Sequence, residues 1–186
     1  MNKLRADDKY HFEELGNLVH EEHVRQILNM PFLNFTSAWV LFDFPVAARQ
    51  EGFMDSDDGI HFTTDENKKY INDKGLVTRD RKVKKDVFYL YKALWNHQVK
   101  TVYITGRRLK KLYADKPYTV KVYSNASSLQ LWIDGKWVQT LPQCDDPSGV
   151  IWTFRPVVLP VGSHEIKVVG DGVEDVVGWD TTQPLL

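Results

Sequence analysis

Carboxylates, imidazoles, ammonium groups and tryptophans are the side chains of this sequence that could do chemistry, and their spacing decides which chemistry each supports. Glu13, Glu14, Glu21 and Glu22 could act in pairs as acid and base, since two carboxyl groups in different environments divide those roles. They fall in a stretch of helical periodicity, where Glu favours the helix and is solvated, so they read as surface residues. His20-Glu21-Glu22-His23 places two imidazoles at i and i+3. That geometry can chelate, but it lacks the H-E-x-x-H spacing of a zinc protease and reads as two surface histidines. Asp55-Ser56-Asp57-Asp58-Gly59 opens like a calcium loop and puts Glu66 at its twelfth position, yet Ile60 stands where such a loop requires Gly. No metal is expected there. Arg79, Arg81, Lys82, Lys84 and Lys85 form a basic run, with Arg107, Arg108, Lys110 and Lys111 farther on. The whole chain carries 24 Lys plus Arg against 25 Asp plus Glu, a formal net charge of −1. Without a long-range field to draw in nucleic acid or an anionic membrane, neither partner is expected and the basic runs read as solvated faces.

These side chains must be held by elements, and the length bounds what the elements can build. The 186 residues, 42% of them hydrophobic, suit one large domain or two small ones with a real core. A closed eight-fold α/β barrel needs about 250 residues. No apolar stretch approaches the roughly 20 residues of a membrane span, and no apolar region follows the charged Met1 to Asp8, so no signal peptide is expected and the compartment stays open. Cys144 is the single cysteine, which excludes an internal disulfide. Asn34-Phe35-Thr36 and Asn125-Ala126-Ser127 match a glycosylation pattern too short to carry weight.

Phe12, Leu15, Val19, Ile27 and Leu28 recur at helical spacing and predict an amphipathic helix from Asp8 to Asn29. Thr36 to Phe44 is almost continuously apolar over strand length, as in a strand buried on both faces of a parallel sheet, with Asp43 its one charge. Pro45 to Thr78 lacks periodicity and reads as a long loop. Val83, Val87, Leu90, Tyr91 and Leu94 predict a second helix over Lys82 to Trp95, with Asp80 a candidate N-cap. After Asn96 the pattern becomes short alternating runs. They predict strands over Val120 to Tyr123, Leu129 to Ile133, Lys136 to Leu141, Val150 to Leu159, His164 to Val169 and Val173 to Trp179, with Asp134-Gly135 as a hairpin turn. Together they suggest a small β-sandwich. Trp152 alternates with Val150 and Phe154 and reads as core, whereas Trp132 and Trp137 could pack inward or form a sugar platform. The lone strand of the first half has no neighbours to satisfy its edges.

The run Ala38-Trp39-Val40-Leu41-Phe42-Asp43-Phe44, then Arg49 and Glu51-Gly52, then Asn72-Asp73-Lys74-Gly75-Leu76-Val77-Thr78-Arg79-Asp80-Arg81-Lys82 and Lys85 to Ala93 resembles glycoside hydrolase family 2, most nearly its bacterial β-galactosidases. The likeness continues through Ile104-Thr105-Gly106-Arg107-Arg108 and Val122-Tyr123-Ser124-Asn125. The resemblance implies an α+β chain. Residues 1–98 would be the terminal part of a glycosidase α/β barrel (helix, strand, long loop, helix), and residues 99–186 an immunoglobulin-like β-sandwich. Thr36 to Phe44 would be the last barrel strand, and both catalytic glutamates of the family would lie before Met1. The lone strand would then find its neighbours in that preceding part.

A retaining glycosidase needs two carboxyl groups roughly 5 to 5.5 Å apart. Asp43, placed by the resemblance at the carboxyl end of a barrel strand, would face the active-site end but has no evident partner carboxylate. On residues alone Trp39 reads as core; the resemblance implies that it lines the sugar subsite. Asn72 and Lys74 keep the Asn-x-Lys spacing that contacts the uronic acid carboxylate in the family's glucuronidases, and the loop residue Arg49, which with Glu51 could equally be only structural, joins Trp39 and Asp43 in the substrate-binding set that the resemblance implies. Phe53 to Tyr70 is longer than the family's usual loop. The expectation is therefore a segment of a β-galactosidase-like enzyme acting on a β-galactoside-like carbohydrate, inactive alone, without cofactor or metal, and prone to self-association through barrel edges. The competing reading is a non-catalytic carbohydrate-binding or interaction module. A self-sufficient enzyme ranks last.

Overall fold

The computed structural model describes residues 12–45, 71–72, 74–108 and 112–183. The chain divides into two compact units, with the division between Tyr89 and Leu90.

The described part of the first unit starts with α1, Phe12–Leu28. Its polarity departs from the expected one, although Glu22 is exposed and Val24 is buried. Glu13, Glu14, Asn17 and Glu21 are buried, Glu21 at 2% exposure, while Leu15, Val19 and Leu28 are exposed. Buried carboxylates persist only where donors meet them. Glu13 Oε1 accepts from the Asp86 backbone amide at 2.8 Å, and Asn17 Nδ2 donates to Glu14 at 3.3 Å and to Asp86 at 3.2 Å. The amide of Asp86 opens α2, Asp86–Trp95, so Glu13 satisfies one of the helix's otherwise unpaired N–H groups. Asp80 is therefore not the N-cap. It organises the turn before the helix, accepting from Thr78 Oγ1 at 2.6 Å and from the Lys82 amide at 3.1 Å.

The apolar run from Thr36 to Phe44 is not a strand buried on both faces. Its regular part is β1, Phe44–Pro45, antiparallel to β2, Ile71–Asn72. Ahead of β1 the backbone pairs in parallel with residues 76–77. Leu76 N donates to Val40 O, Val77 N to Leu41 O and Asp43 N to Val77 O, each at 2.9–3.0 Å. Phe35, Trp39 and Leu41 alternate outward, Phe35 at 82% exposure. Period-2 alternation fits extended chain with one face covered, whereas the apolar composition alone reads as two buried faces.

The second unit is the expected two-sheet sandwich. A five-stranded sheet runs β4-β12-β11-β7-β8 and a three-stranded sheet β3-β6-β9. The ranges are β3 Val102–Ile104, β4 Leu112–Tyr113, β5 Pro117–Tyr118, β6 Lys121–Ser124, β7 Leu129–Ile133, β8 Lys136–Leu141, β9 Ile151–Thr153, β10 Val157–Val158, β11 Gly162–Gly170 and β12 Val173–Thr182. All pairings are antiparallel except β12 with β4. Val150 to Leu159, expected as one strand, is two, with Pro156, which has no N–H to give a ladder, between β9 and β10. The alternating faces of β6, β7, β9, β11 and β12 close over one core that includes Val122, Leu131, Trp152, Ile166, Val168 and Trp179. Trp152 is buried as expected, its indole N–H donating to Ser124 O at 3.0 Å.

Candidate functional site

The sequence-derived site residues that the structure describes lie in the first unit, around the end of β1. Trp39 is 71% exposed, so within this chain it is not a core residue. Its ring meets that of Phe44 edge-on, with centroids 6.2 Å apart and planes at 83°. Edge-to-face contact orients an indole whose other face stays open. Phe44 is also the register partner of Asn72 across β1 and β2. Two residues beyond Asn72, Lys74 is exposed. The fold thus brings the backbones of Trp39 and Phe44 and of Asn72 and Lys74, from two segments distant in sequence, to one end of a short sheet. Arg49 lies outside the described residues, as does the 55–66 acidic loop.

Asp43 is not an open carboxylate at this end. Its Oδ1 accepts from Lys85 Nζ at 2.7 Å and from the Gly75 amide at 2.8 Å, with side-chain exposures of 0% for Asp43 and 6% for Lys85. Lys85, read from sequence as part of a solvated basic run, is a buried ion-pair partner. It immediately precedes α2, and its own amide donates to Leu76 O at 2.9 Å. Arg79, Arg81 and Lys82 are exposed, as expected for a solvated face, with the Arg81 guanidinium 4.8 Å from the Phe42 ring centre.

Gly75 locks the arrangement. A Cβ there would lie 2.2 Å from Asp43 N and 2.5 Å from Asp43 Oδ1, closer than any side chain can sit. Only glycine lets the backbone that carries Lys74 approach the segment that carries Trp39. Phe44, Gly75 and Lys85 are the members that sequence reasoning missed. Gly75 and Lys85 both fell in motifs that carry the family resemblance, but the burial of Lys85 had no local signal, because a lysine in a basic run looks solvated whatever it touches.

Chemically, the end of β1 offers an apolar aromatic face, and the segment paired with it leads to the exposed Lys74. These suit the C–H face and the hydroxyl or carboxylate groups of a sugar. The paired histidines of α1 make a different arrangement. His20 and His23 rings are 6.4 Å apart and T-shaped, and burial, then His23, holds His20 below its usual pKa. Among the described residues no three His, Cys, Asp or Glu are grouped as metal ligands, and no helix is long and apolar enough to cross a membrane.

In the sandwich, Trp132 and Trp137 are register partners across the β7–β8 hairpin. Trp137 is 57% exposed, its indole N–H donating to Thr140 Oγ1 at 3.1 Å.

No protein-family profile matches the sequence. A β-glucuronidase of Bacteroides fragilis is 34% identical over 167 residues, 90% of this chain and 21% of that protein. Among solved structures, an FMN-binding β-glucuronidase from Facaelibacterium prausnitzii L2-6 superposes with a TM-score of 0.77 at 32% identity, over 99% of this chain and 25% of its own. A putative β-galactosidase from Bacteroides fragilis gives 0.75 at 25% identity, over 93% and 24%. The chain thus spans about a fifth to a quarter of the relatives it matches, and it is a homologue of one segment of the β-glucuronidases and β-galactosidases of glycoside hydrolase family 2.

Proposed function

We propose that this chain is the closing part of the catalytic α/β barrel of a family 2 retaining glycosidase of the β-galactosidase or β-glucuronidase kind, joined to an immunoglobulin-like β-sandwich. On this reading it supplies a wall of the sugar subsite and neither catalytic glutamate. The observation that carries it is the exposure of Trp39, edge-on to Phe44, on a segment whose backbone register partner is the strand that carries Asn72 and leads to exposed Lys74. An aromatic stacking surface beside an Asn-x-Lys donor pair binds a glycone without needing an acid and nucleophile of its own. The buried state of Glu13, Glu14 and Glu21 against an amide, an asparagine and an arginine supports a structural role for them. The test is to assay the purified chain on aryl β-galactoside and aryl β-glucuronide. No turnover is expected; turnover abolished by changing a glutamate of this chain to Gln overturns the reading.

The exposed Trp137, register partner of the half-buried Trp132, supports a second reading, in which the hairpin is a non-catalytic carbohydrate platform. Gln130 and Thr140 are register partners beside the two indoles, so hydrogen-bonding groups flank the aromatic surface. Retention of the sandwich on an immobilised glycan, lost in Trp137→Ala, is what that reading requires, and passage without retention removes it.

A further inference from the structure

We propose that the outer face of the five-stranded sheet binds an uncharged, extended β-linked oligosaccharide laid across the strands, along the row Trp137, Trp132, Lys167 and Val176. The inference rests on the reading of the β7–β8 hairpin as a carbohydrate platform and names the ligand of that platform. Register partners share a face of a sheet, so the ladder defines the row directly. Trp137 pairs with Trp132, Trp132 with Lys167 and Lys167 with Val176. Their neighbours along β7, β11 and β12, including Leu131, Ile166, Val168 and Val177, belong to the core, which puts the row on the solvent side. Trp137 and Val176 are exposed, and Trp132 and Lys167 are half-buried. At the usual strand spacing the row spans about 14 Å, more than one pyranose ring.

A β-bulge aims the outermost indole. Trp132 faces Trp137 and Leu131 faces Gln139, which leaves Val138 as the extra residue of β8. Because of it, Trp137 and Thr140 share the outer face, where regular alternation would put them on opposite sides. The Trp137 indole N–H donates to Thr140 Oγ1 at 3.1 Å, which holds the ring on that face. The charges then choose among occupants. Lys167 Nζ lies 3.8 Å from Glu174 Oε2 on the same face, and the groups beside the indoles, Gln130 and Thr140, are neutral donors and acceptors. The other charged side chains that the register places on this face, among the described residues, are Glu165 and Asp180, the latter accepting from Ser163 Oγ at 2.6 Å, so a polyanion would be repelled. A strip one side chain wide also offers far less than the ~800 Å² per partner of a stable protein interface. A sugar fits both limits: its C–H face meets an indole while its hydroxyls reach sideways to amide and hydroxyl groups. β-linked rings with equatorial hydroxyls keep their C–H faces in one plane, as a flat row requires, whereas α-linked rings curve away from it.

The experiment follows the indole N–H NMR signals of the full chain during titration with cellotetraose, with maltotetraose and methyl β-glucoside as comparisons. Cellotetraose should move the Trp132 and Trp137 signals and leave those of buried Trp152 and Trp179 in place. Maltotetraose and the single ring should bind about tenfold more weakly, the scale of a lost ring contact. Trp137→Ala should weaken cellotetraose by at least as much, with unmoved Trp152 and Trp179 signals showing an intact sandwich. Val176→Asp, at the far end of the row, should weaken cellotetraose and leave methyl β-glucoside unchanged. Equal binding of maltotetraose, or no effect of Val176→Asp, overturns the inference and leaves the platform reading standing. If no sugar moves the Trp132 and Trp137 signals, the platform reading falls and the inference falls with it. Signals that shift with protein concentration instead of sugar make the face a contact between copies of this chain, which also overturns the inference.

Discussion

His164 carries a constraint that can be read from its two ring nitrogens. Nδ1 lies 2.8 Å from Asp134 Oδ2 and Nε2 lies 3.0 Å from the Pro160 carbonyl. A neutral imidazole has one N–H, so only the imidazolium donates to both acceptors. The hydrogen bond to Asp134 is the main reason the ring's pKa is raised above 6.5, with smaller help from Pro160 O and the charges of Asp134 and Asp180. The same bond, then the Glu165 amide, lowers Asp134 below 3.8. The signs follow from linkage. Stability from a raised histidine is complete below its unfolded value near 6.5 and is lost as pH rises through the folded value. Stability from Asp134 is present above 3.8 and is lost as pH falls through its own lowered value. Thermal melts should therefore show a decline in midpoint above about pH 6.5 that is shallower in His164→Gln. Equal slopes in both proteins would show that the ring folds neutral. Asp134 was legible in the sequence as a turn residue, but its role as acceptor for a histidine 30 residues away was not, because local patterns carry no information about side chains that meet through the sheet.

At the scale of elements, the turns explain why the sandwich was readable and the first unit was not. Asp134-Gly135 joins β7 to β8 with φ of 50° and 73°, and Asp171-Gly172 joins β11 to β12 with φ of 47° and 78°. Both are therefore two-residue loops with two left-handed positions, whose twist matches the flanking strands. Alternation between such turns fixes which face of each strand is buried, and the sequence states both. In α1 the same logic misleads. Periodicity locates the helix, but its outward-facing Leu15 and Val19 and inward-facing Glu13 and Glu21 are set by what the helix packs on. The β11–β12 turn gives the sharper test. Asp171 accepts from Lys100 Nζ at 2.7 Å and from Ser127 Oγ at 2.7 Å and N at 3.1 Å, bonds that hold its carboxyl at about 2. Gly172→Val puts a β-branched side chain at φ +78° and should lower stability by about 1 to 2 kcal/mol in urea unfolding, with m unchanged. A loss no larger than that of Gly178→Ala would contradict a turn-imposed cost, since Gly178 lies in β12 where a Cβ meets open space.

For the whole molecule, the two units differ in how they treat apolar surface. The sandwich closes over its own core, from Val102 to Trp179. The first unit leaves Leu15, Val19, Phe32, Phe35, Trp39 and Leu41 exposed, more large apolar side chains than a stable monomer usually shows. In relatives four to five times longer, a segment of this kind has other parts of the same protein to cover it. Alone in solution, such surface is covered by water or by another copy. The expected outcome is reversible self-association through the first unit, seen as a sedimentation coefficient that rises with protein concentration. Replacing Phe32, Phe35 and Leu41 together by Ser removes apolar area without touching the Asp43–Lys85 pair or the sandwich core, and should return the chain to a concentration-independent monomer. The wild-type chain sedimenting as a monomer at every concentration would mean that the apolar segment finds cover within its own polypeptide. Association that persists in the triple variant would place the contact elsewhere, with the exposed Trp137 of the β7–β8 hairpin the next surface to change.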